Sequence, residues 1–231
     1  MLLFVSCFLL KVNYSFTLMA KDRVLITGGA GFIGSHTADA LFKEGYLIRI
    51  FDKLAQPVHK KNQWPNYLSK KYELVKGDVA KKEDLTRALK GADFVFHLAA
   101  YQDYLPDFSK FFTVNAASTA LLYEIIRAEK LHVKKVIYGS SQAVYGEGKY
   151  KCGQEIFYPE QRNLKQLKNK EWDYKCKDGK KALFLPMKES DEPKPRNAYG
   201  MSKLAGEQAA LELGKQNGIP TVAMRYSIVQ G

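Results

Sequence analysis

An α/β fold with a doubly wound parallel sheet is the class that this 231-residue sequence predicts. First, short apolar runs that suit strands alternate with longer segments of helical periodicity along most of the chain. Second, the first apolar run ends in glycines spaced three residues apart, and a helical pattern follows at once. Third, the next apolar run ends at an acidic residue, Asp52. Together these observations indicate strand–helix–strand units whose strands run parallel.

Each element follows from its local pattern. The predicted strands are residues 23–27, 47–51, 72–76, 94–98, 135–139 and 221–226. The predicted helices are residues 32–43, 82–90, 108–130 and 199–217, and Gly45 and Gly91 end the first two. Residues 53–71 are polar, contain two prolines and are predicted to be mainly loop. Since helical crossovers between parallel strands are right-handed, we expect one doubly wound sheet over residues 21–231.

The glycine-rich turn spans Thr27-Gly-Gly-Ala-Gly-Phe-Ile-Gly34. Gly28 allows a sharp turn out of the strand, Gly31 lets a pyrophosphate approach the backbone, and Gly34 lets helix and strand pack closely. The start of the helix presents N–H groups and a positive dipole end to the phosphates. The turn therefore predicts a Rossmann dinucleotide site, with a plain glycine turn as the alternative. The predicted cofactor-binding residues here are Gly28, Gly31, Phe32, Ile33 and Gly34.

The acidic residue at the end of the second strand, Asp52, predicts the form of the dinucleotide. Its carboxylate can accept a hydrogen bond from the ribose 2′-hydroxyl and would repel a 2′-phosphate. The neighbouring Lys53 weakens the second argument, because an ammonium group attracts phosphate. NAD is nevertheless the predicted cofactor, in preference to NADP.

A long segment, residues 147–190, interrupts the alternation between the fifth strand and the next helix. Loops of this length are usually functional lids or disordered. Its position predicts that it projects over the carboxyl edge of the sheet, where ligands bind in this architecture. Its aromatic residues could form a small core of their own or clamp a substrate.

Basic residues give the chain a formal net charge of +12. Eleven basic and five acidic residues lie between positions 149 and 188, so half of the net charge belongs to this insertion. No nucleic-acid-binding motif accompanies the charge. We therefore interpret it as a solvated face and expect no nucleic-acid partner.

The chain has three cysteines: Cys7, Cys152 and Cys176. They do not suggest a disulfide framework, and reduced thiols in a cytoplasmic protein are the simplest interpretation. A structural zinc site normally needs four ligands, so the two cysteines of the insertion predict no metal site. Of the histidines, His59 is expected to be exposed, and His97 is expected to pack beside the cofactor.

The first 20 residues are interpreted as an extension outside the fold. Residues 1–10 are apolar, but the run is too short to span a bilayer and lacks the positive start of a signal peptide. Met19 lies directly before the first strand, where a cytoplasmic protein of this type would begin. We therefore expect no association with a membrane. The alternative is that the apolar start of the chain is a weak membrane anchor.

Three side chains near the carboxyl edge of the sheet could carry chemistry. Ser141 ends the fifth strand, and Tyr199 and Lys203 share one helix face because they are four residues apart. A nearby ammonium favours the phenolate, although lowering a tyrosine pKa by ~3 units requires roughly 4 kcal/mol of differential interaction. Lys203 and a positive nicotinamide ring could supply much of this. Tyr199 would then take a proton from a sugar hydroxyl while hydride leaves the same carbon, and Ser141 would hold the oxygen.

Further motifs follow in order along the chain. They are Gly77-Asp78-Val79, His97-Leu98-Ala99-Ala100, Asn115, Ser140-Ser141-Gln142-Ala143-Val144-Tyr145-Gly146, Tyr199-x-x-x-Lys203 and Arg225-Tyr226. On these motifs, residues 22–231 resemble the extended short-chain dehydrogenases/reductases of the NAD-dependent sugar epimerase/dehydratase family. The resemblance implies that Asp78 contacts the adenine with Val79 beside it. It assigns catalysis to Ser141, Tyr199 and Lys203, and further cofactor contacts to Leu98, Ala99, Ala100, Asn115, Tyr199 and Lys203.

The resemblance also narrows the reaction. In the 4,6-dehydratases of this family, an acidic residue that serves the elimination of water lies two positions after the catalytic Ser or Thr, and here that position is Ala143. The pattern is closer to that of 4-epimerases, which oxidise carbon 4, rotate the keto-sugar and return hydride to the other face. The resemblance therefore implies a nucleotide-diphosphate sugar as substrate. It also implies a homodimer that pairs two long helices, residues 108–130 and 199–217.

Two features qualify this resemblance. The insertion is similar to a segment of dTDP-L-rhamnose 4-epimerase-like proteins whose paired cysteines suggest a metal knuckle, but here only Cys152 and Cys176 remain. Family members also continue beyond Gly231 into a C-terminal lobe that grips the nucleotide sugar, so we expect that lobe to be missing. The alternatives are an NAD(P)-dependent dehydrogenase, reductase or dehydratase of the same fold, and a catalytically silent NAD-binding module.

Overall fold

The computed structural model describes residues 21–230, and the predicted extension of residues 1–20 lies outside this range. The strands are β1 (Arg23–Thr27), β2 (Leu47–Asp52), β3 (Glu73–Lys76), β4 (Phe94–His97), β5 (Lys135–Ser141), β6 (Lys149–Cys152), β7 (Glu155–Phe157), β8 (Leu183–Leu185) and β9 (Thr221–Tyr226). The helices are α1 (Phe32–Lys43), α2 (Lys82–Leu89), α3 (Phe108–Phe112), α4 (Ser118–Ala128), α5 (Leu164–Lys168) and α6 (Ala198–Gln216). A π-helical turn (Thr113–Ala117) joins α3 to α4, and a 3₁₀ turn (Gln142–Tyr145) follows β5.

Six strands form a parallel sheet in the order β3-β2-β1-β4-β5-β9. The chain first adds strands outward from β1 to β3 and then returns to place β4 on the other side of β1. The order therefore reverses between β1 and β4, which opens a crevice at the carboxyl ends of these strands. This arrangement confirms the predicted doubly wound α/β class.

Alternation along β1 shows how the sheet divides two apolar layers. Val24 and Ile26 belong to the layer that also contains Leu41 of α1. Leu25 belongs to the opposite layer, with Leu122 of α4. Since successive strand residues point to opposite faces, and helices cover both faces, the central strand β1 buries apolar side chains on both of its faces.

The helix predicted over residues 108–130 is interrupted, which corrects the prediction. The π-helical turn Thr113–Ala117 places Asn115 in the interior, where it is only 1% exposed. The Asn115 side chain accepts a hydrogen bond from the backbone N–H of Tyr101 (2.8 Å), and it donates to the Tyr101 carbonyl (2.9 Å) and to Ser202 Oγ (3.0 Å). Such a widened turn leaves the apolar periodicity of the flanking helices intact, so periodicity does not reveal it.

The insertion, residues 147–190, has secondary structure of its own and is therefore not the plain loop that its composition suggests. Its strands form an antiparallel sheet in the order β7-β6-β8. The ring of Tyr150 lies at its centre, with centroid distances of 4.9 Å to Tyr174, 5.4 Å to Phe184 and 6.1 Å to Phe157. The aromatic residues thus form a small core, which was one of the two alternatives.

Cys152 and Cys176 form a disulfide with their Cα atoms 5.7 Å apart, which corrects the prediction of reduced thiols. Cys176 begins a tight turn in which its carbonyl accepts from the N–H of Gly179 (2.9 Å) and its own N–H donates to the Lys180 carbonyl (2.7 Å). This turn brings Cys176 back to the end of β6. Within residues 21–230 no group of three or more potential metal ligands is present, and no helix is long and apolar enough to cross a membrane.

Candidate active site

A cleft runs along the carboxyl ends of the parallel strands, from the glycine-rich turn to the start of α6. The predicted site residues that line it are Gly28, Gly31, Phe32, Ile33, Gly34, Asp52, Asp78, Val79, Leu98, Ala99, Ala100, Ser141, Tyr199 and Lys203. Asn115 is a correction, because its side chain is buried on the backbone of Tyr101 and on Ser202 instead of facing the cleft. One cleft is therefore lined both by residues predicted to bind the dinucleotide and by residues predicted to react.

Close backbone packing explains the glycines of the turn. Gly28 has a φ of +66°, and a Cβ there would lie 2.8 Å from the Cα of Ala99. A Cβ on Gly34 would lie 2.6 Å from the Cα of Gly29. Helix α1 begins at Phe32 without a side-chain cap and without an acidic residue in its first turn. Its first N–H groups and positive dipole end are therefore suited to an anionic group such as a pyrophosphate.

Asp52 lies at the end of β2 with both carboxylate oxygens fixed by the backbone. Oδ2 accepts from the N–H of Ala30 in the glycine-rich turn (3.1 Å), and Oδ1 accepts from the N–H of Leu54 (2.8 Å). Each oxygen has further lone pairs, so the carboxylate can still accept from a ribose hydroxyl. The negative charge predicted to discriminate against a 2′-phosphate is thus held at the cleft.

Two neighbours of Asp52 refine the sequence analysis. Lys53 Nζ lies 2.7 Å from Asp78 Oδ2, so the cation that weakened the NAD prediction has its own carboxylate partner. His59 is only 8% exposed, which corrects the expectation of an exposed histidine. Its Nε2 lies 3.9 Å from Asp52 Oδ1. Residues 53–71 fold back over the end of β2. Their polar composition did not predict this, because it is typical of an exposed loop.

His97 links three elements beneath the cleft. Its Nδ1 lies 2.9 Å from Thr27 Oγ1 and its Nε2 lies 3.0 Å from Ser118 Oγ. Thr27 Oγ1 also accepts from the N–H of Ala99 (3.1 Å), which fixes the wall along the cofactor site. Burial, assisted by the charge of Lys203, lowers the pKa of His97 to about 3, so the imidazole is neutral. It is a buried packing residue, and its expected position beside the cofactor stays a prediction.

The three side chains predicted to carry the chemistry, Ser141, Tyr199 and Lys203, line the far end of the cleft. Asn197 caps α6 by accepting from the N–H of Gly200 (2.8 Å), which fixes the first helical turn containing Tyr199. The side chain of Ser141 lies close enough to Tyr199 to lower the pKa of its phenol. Lys203 lies one turn further along, is 2% exposed, and has its Nζ 4.7 Å from the ring centroid of Tyr138.

Burial disfavours the ionised forms of both Tyr199 and Lys203. It raises the pKa of Tyr199 above its usual 10, and the neighbouring Ser141 side chain offsets this in part. Burial also lowers the pKa of Lys203 from 10.5 to about 8, against an opposing contribution from Glu207. The expected activation of Tyr199 is therefore not present in the chain alone, and a further positive charge in the cleft is needed for it.

Glu207 and Arg225 belong to the site, although the sequence analysis gave them no role. Glu207 is 4% exposed and accepts from Ser140 Oγ (2.5 Å) and from Arg225 Nη2 (2.6 Å). The four-residue spacing that joins Tyr199 to Lys203 continues to Glu207, and this was the signal that could have identified it.

The insertion forms part of the cleft wall, as its position predicted. Phe184, Met187 and Glu189 line the cleft. A buried ion pair between Lys149 Nζ and Asp191 Oδ2 (2.6 Å) ties the two ends of the insertion together. The segment is thus placed to contact whatever occupies the reactive end.

Comparison with known proteins agrees with this geometry. The sequence profile of the NAD dependent epimerase/dehydratase family matches residues 24–231. A dTDP-L-rhamnose 4-epimerase from Burkholderia thailandensis is 31% identical over 222 residues, which is 93% of this chain and 60% of that protein. A CDP-paratose 2-epimerase from Salmonella typhi is 30% identical over 90% of this chain and 58% of its own length.

Solved structures with the same fold include two 4-epimerases in complex with NAD. A UDP-glucuronic acid 4-epimerase from Bacillus cereus aligns with a TM-score of 0.66 and 28% identity over 90% of this chain and 58% of that one. A UDP-glucose 4-epimerase from Brucella ovis aligns with a TM-score of 0.63 and 27% identity over 89% and 52%. The chain thus spans between half and three fifths of these relatives. With its profile match, parallel sheet and cleft, the chain belongs to the NAD-dependent epimerase/dehydratase family.

Proposed function

We propose that this chain carries the cofactor-binding and catalytic part of an NAD-dependent 4-epimerase that acts on a nucleotide-diphosphate sugar. The observation that carries the proposal is the convergence of Ser141, Tyr199 and Lys203 on the cleft that also contains the glycine-rich turn. The proximity of the Ser141 side chain to Tyr199 supports a shared role at one substrate oxygen.

The residues at the glycine-rich end fit NAD. The backbone around Gly31 and the start of α1 would hold the pyrophosphate, and Asp52 would accept from the ribose hydroxyls. Asp78 and Val79 would contact the adenine, while Leu98, Ala99 and Ala100 would border the rest of the cofactor. When bound, NAD supplies a group that accepts hydride from the sugar and returns it.

At the other end of the cleft, the side chains would transfer the proton of the sugar hydroxyl and hold its oxygen. Tyr199 would take the proton of the hydroxyl on carbon 4 and later return it. Ser141, the last residue of β5, would hold the same oxygen in position for proton transfer. Lys203 would stabilise the phenolate from one turn along the helix and would also contact the nicotinamide ribose.

Ala143 supports epimerisation over dehydration. Its backbone N–H donates to Ser141 Oγ (3.1 Å). Its methyl group occupies the position at which the related dehydratases carry the acid that removes water. An alanine cannot transfer a proton, so this position supplies no catalyst for elimination. The names of the relatives support a nucleotide sugar as the substrate class.

A homodimer is proposed through the face formed by α3 and the start of α6. Phe108 is 62% exposed, Phe112 is 40% exposed and Met201 is 44% exposed on these helices. Burial of such side chains against a second copy would remove apolar surface from water. Sedimentation of the purified chain at several concentrations would test this association.

The first experiment is calorimetric titration of the purified chain with NAD and with NADP. NAD should bind, and NADP should bind at least about tenfold more weakly because Asp52 repels the 2′-phosphate. An Asp52→Ala variant should reduce this preference. A chain that binds neither dinucleotide would contradict the proposed cofactor.

The second experiment incubates the NAD-bound chain with a panel of UDP- and dTDP-linked sugars. Proton NMR then follows the signal of the hydrogen on carbon 4 of the sugar. Epimerisation should interconvert two stereoisomers without accumulation of NADH. Stoichiometric NADH would instead identify a net dehydrogenase. Loss of water from the sugar would identify a dehydratase.

A further inference from the structure

His59 lies beside the carboxylate that is predicted to select the cofactor. Its Nε2 is 3.9 Å from Asp52 Oδ1, and the two side chains are only 7% and 12% exposed. This distance is too long for a hydrogen bond, but charges at this separation interact strongly where water is largely excluded. Both residues line the cleft, so a charge on either one would act on a group bound there.

Asp52 cannot turn away from this histidine without losing backbone contacts. Its Oδ1 accepts from the N–H of Leu54 (2.8 Å), and its Oδ2 accepts from the N–H of Ala30 (3.1 Å). Backbone N–H donors form strong hydrogen bonds with an ionised carboxylate. The negative charge therefore has a fixed position at the end of β2.

The loop of residues 53–71 also holds His59 in place. The backbone N–H of His59 donates to the Ala55 carbonyl (3.0 Å), and its own carbonyl accepts from the N–H of Asn62 (3.1 Å). Further along the loop, the hydroxyl of Tyr67 donates to the carbonyl of Ala30 in the glycine-rich turn. The loop is thereby attached to the cofactor site, and the imidazole stays next to the carboxylate.

Other titratable and charged groups lie on the elements around His59. They are Asp52 and Lys53 after β2, Lys60, Lys61 and Tyr67 of the same loop, Lys76 and Asp78 at the end of β3, and His36 and Asp39 of α1. Lys53 Nζ lies 2.7 Å from Asp78 Oδ2, so these two charges offset each other. Burial and the charge of Asp52 raise the pKa of Tyr67, so its hydroxyl is neutral. The other three lysines are exposed, where solvent and salt screen their charge. Among these groups, His59 is the one within ion-pair distance of Asp52.

We propose that His59 is a specificity-determining residue that makes the preference for NAD over NADP depend on pH. Histidine is the side chain whose charge ordinarily changes between about pH 5 and 8. While the imidazole is neutral, the Asp52 carboxylate repels a 2′-phosphate. Once it is protonated, the positive charge beside Oδ1 offsets that carboxylate and attracts the phosphate. The inference rests on the proposed cofactor site, and it requires discrimination to weaken as the pH falls.

The test is calorimetric titration of the purified chain with NAD and with NADP at high and low pH. The 2′-phosphate itself gains a proton near pH ~6, which weakens discrimination whatever the protein does. His59→Gln cannot gain a charge and therefore measures that contribution alone. Between about pH 8 and 5.5, the ratio of the NADP Kd to the NAD Kd should fall at least about threefold more in the parent than in His59→Gln. His132→Gln, an exposed histidine before β5, is the matched control and should behave like the parent.

A second measurement needs neither a dinucleotide nor a folded His59→Gln variant. The chain has four histidines, whose ring signals can be followed by proton NMR as the pH changes. His97 does not titrate in this range, because burial lowers its pKa to about 3, and His36→Gln and His132→Gln identify the two exposed histidines. The remaining signal is that of His59. In Asp52→Asn its midpoint should move to lower pH by about half a unit or more, because the neighbouring negative charge is gone.

The outcomes separate this inference from the proposed cofactor. If both dinucleotides bind and their Kd ratio changes equally with pH in the parent and in His59→Gln, the inference is overturned while the cofactor site stands. A His59 midpoint that is the same in the parent and in Asp52→Asn would also overturn it. If the chain binds neither dinucleotide, the proposed cofactor is contradicted and the inference falls with it.

Discussion

Gly34→Ala sets two physical effects against each other in the first turn of α1. An alanine inside a helix normally gains roughly 1 kcal/mol over glycine. Here its Cβ would lie 2.6 Å from the Cα of Gly29 and 3.1 Å from the carbonyl carbon of Gly28. Carbon atoms normally approach to about 3.5 Å, so the turn and helix must separate by about 1 Å.

The expected result is a net loss of stability and of NAD binding. Overpacking of rigid backbone costs about 1–3 kcal/mol, which exceeds the propensity gain. We therefore expect the free energy of unfolding to fall by about 1–2 kcal/mol in urea denaturation, which would lower Tm by about 2–4 °C per kcal/mol. NAD affinity should fall at least about tenfold, because a shift of this size misaligns the backbone donors.

Gly31→Ala is the comparison that separates the two losses. Its Cβ would meet only the Gly28 carbonyl oxygen, at 3.3 Å, and the backbone φ of −76° suits alanine. We expect nearly unchanged stability but weaker NAD binding, since the methyl group occupies the approach to the pyrophosphate. A Gly34→Ala variant that is more stable than the parent and binds NAD equally well would refute the reasoning.

Three further predictions concern the reactive groups and the insertion. Tyr199→Phe should retain NAD affinity within about threefold but lose interconversion at carbon 4 by at least about a hundredfold, measured by calorimetry and by proton NMR; full activity would contradict its assignment as the base. Lys203→Met should be more stable than the parent at pH 7, by up to about 3 kcal/mol from the lowered pKa. Since the unfolded chain binds more protons between pH 8 and 10.5, parent stability rises with pH across this window, and the difference should shrink in urea denaturation at pH 10; a constant difference would argue against the pKa as its cause. Cys152→Ser with Cys176→Ser should increase amide hydrogen exchange within residues 147–190 while leaving NAD affinity unchanged, because the disulfide lies in the insertion rather than at the cofactor site.

The fold could be predicted because its signals are local. The glycine spacing at Gly28, Gly31 and Gly34 and the strand that ends at Asp52 each depend on a few neighbouring residues. The order of apolar runs then gave the parallel sheet. By contrast, the π-helical turn at Asn115 depends on contacts with residues 14 and 87 positions away, which no periodicity encodes.

The disulfide and the Glu207 network were missed for a related reason. Cys152 and Cys176 meet through a turn whose geometry comes from backbone bonds at Gly179, and their number and spacing alone suggested reduced thiols. Glu207 and Arg225 lie 18 residues apart, on a helix and a strand that pack together only in the folded sheet. Pairings between distant elements require the three-dimensional structure.

The burial of Lys203 separates the functional interpretation of Tyr199 and Lys203 from an ordinary surface pair. A tyrosine and a lysine four residues apart on a helix are usually exposed, where the lysine keeps its charge without cost. Here Lys203 is 2% exposed, and its lowered pKa means that the fold holds the ammonium in an environment that opposes it. From this lowered pKa we expect an apolar residue at this position to be more stable, so packing does not account for a lysine. Burial keeps Tyr199 protonated in the chain alone. The proposed function explains a buried cation beside it, because Lys203 and the positive nicotinamide ring of bound NAD would together lower the pKa of Tyr199. The resulting phenolate could then accept a proton from the substrate.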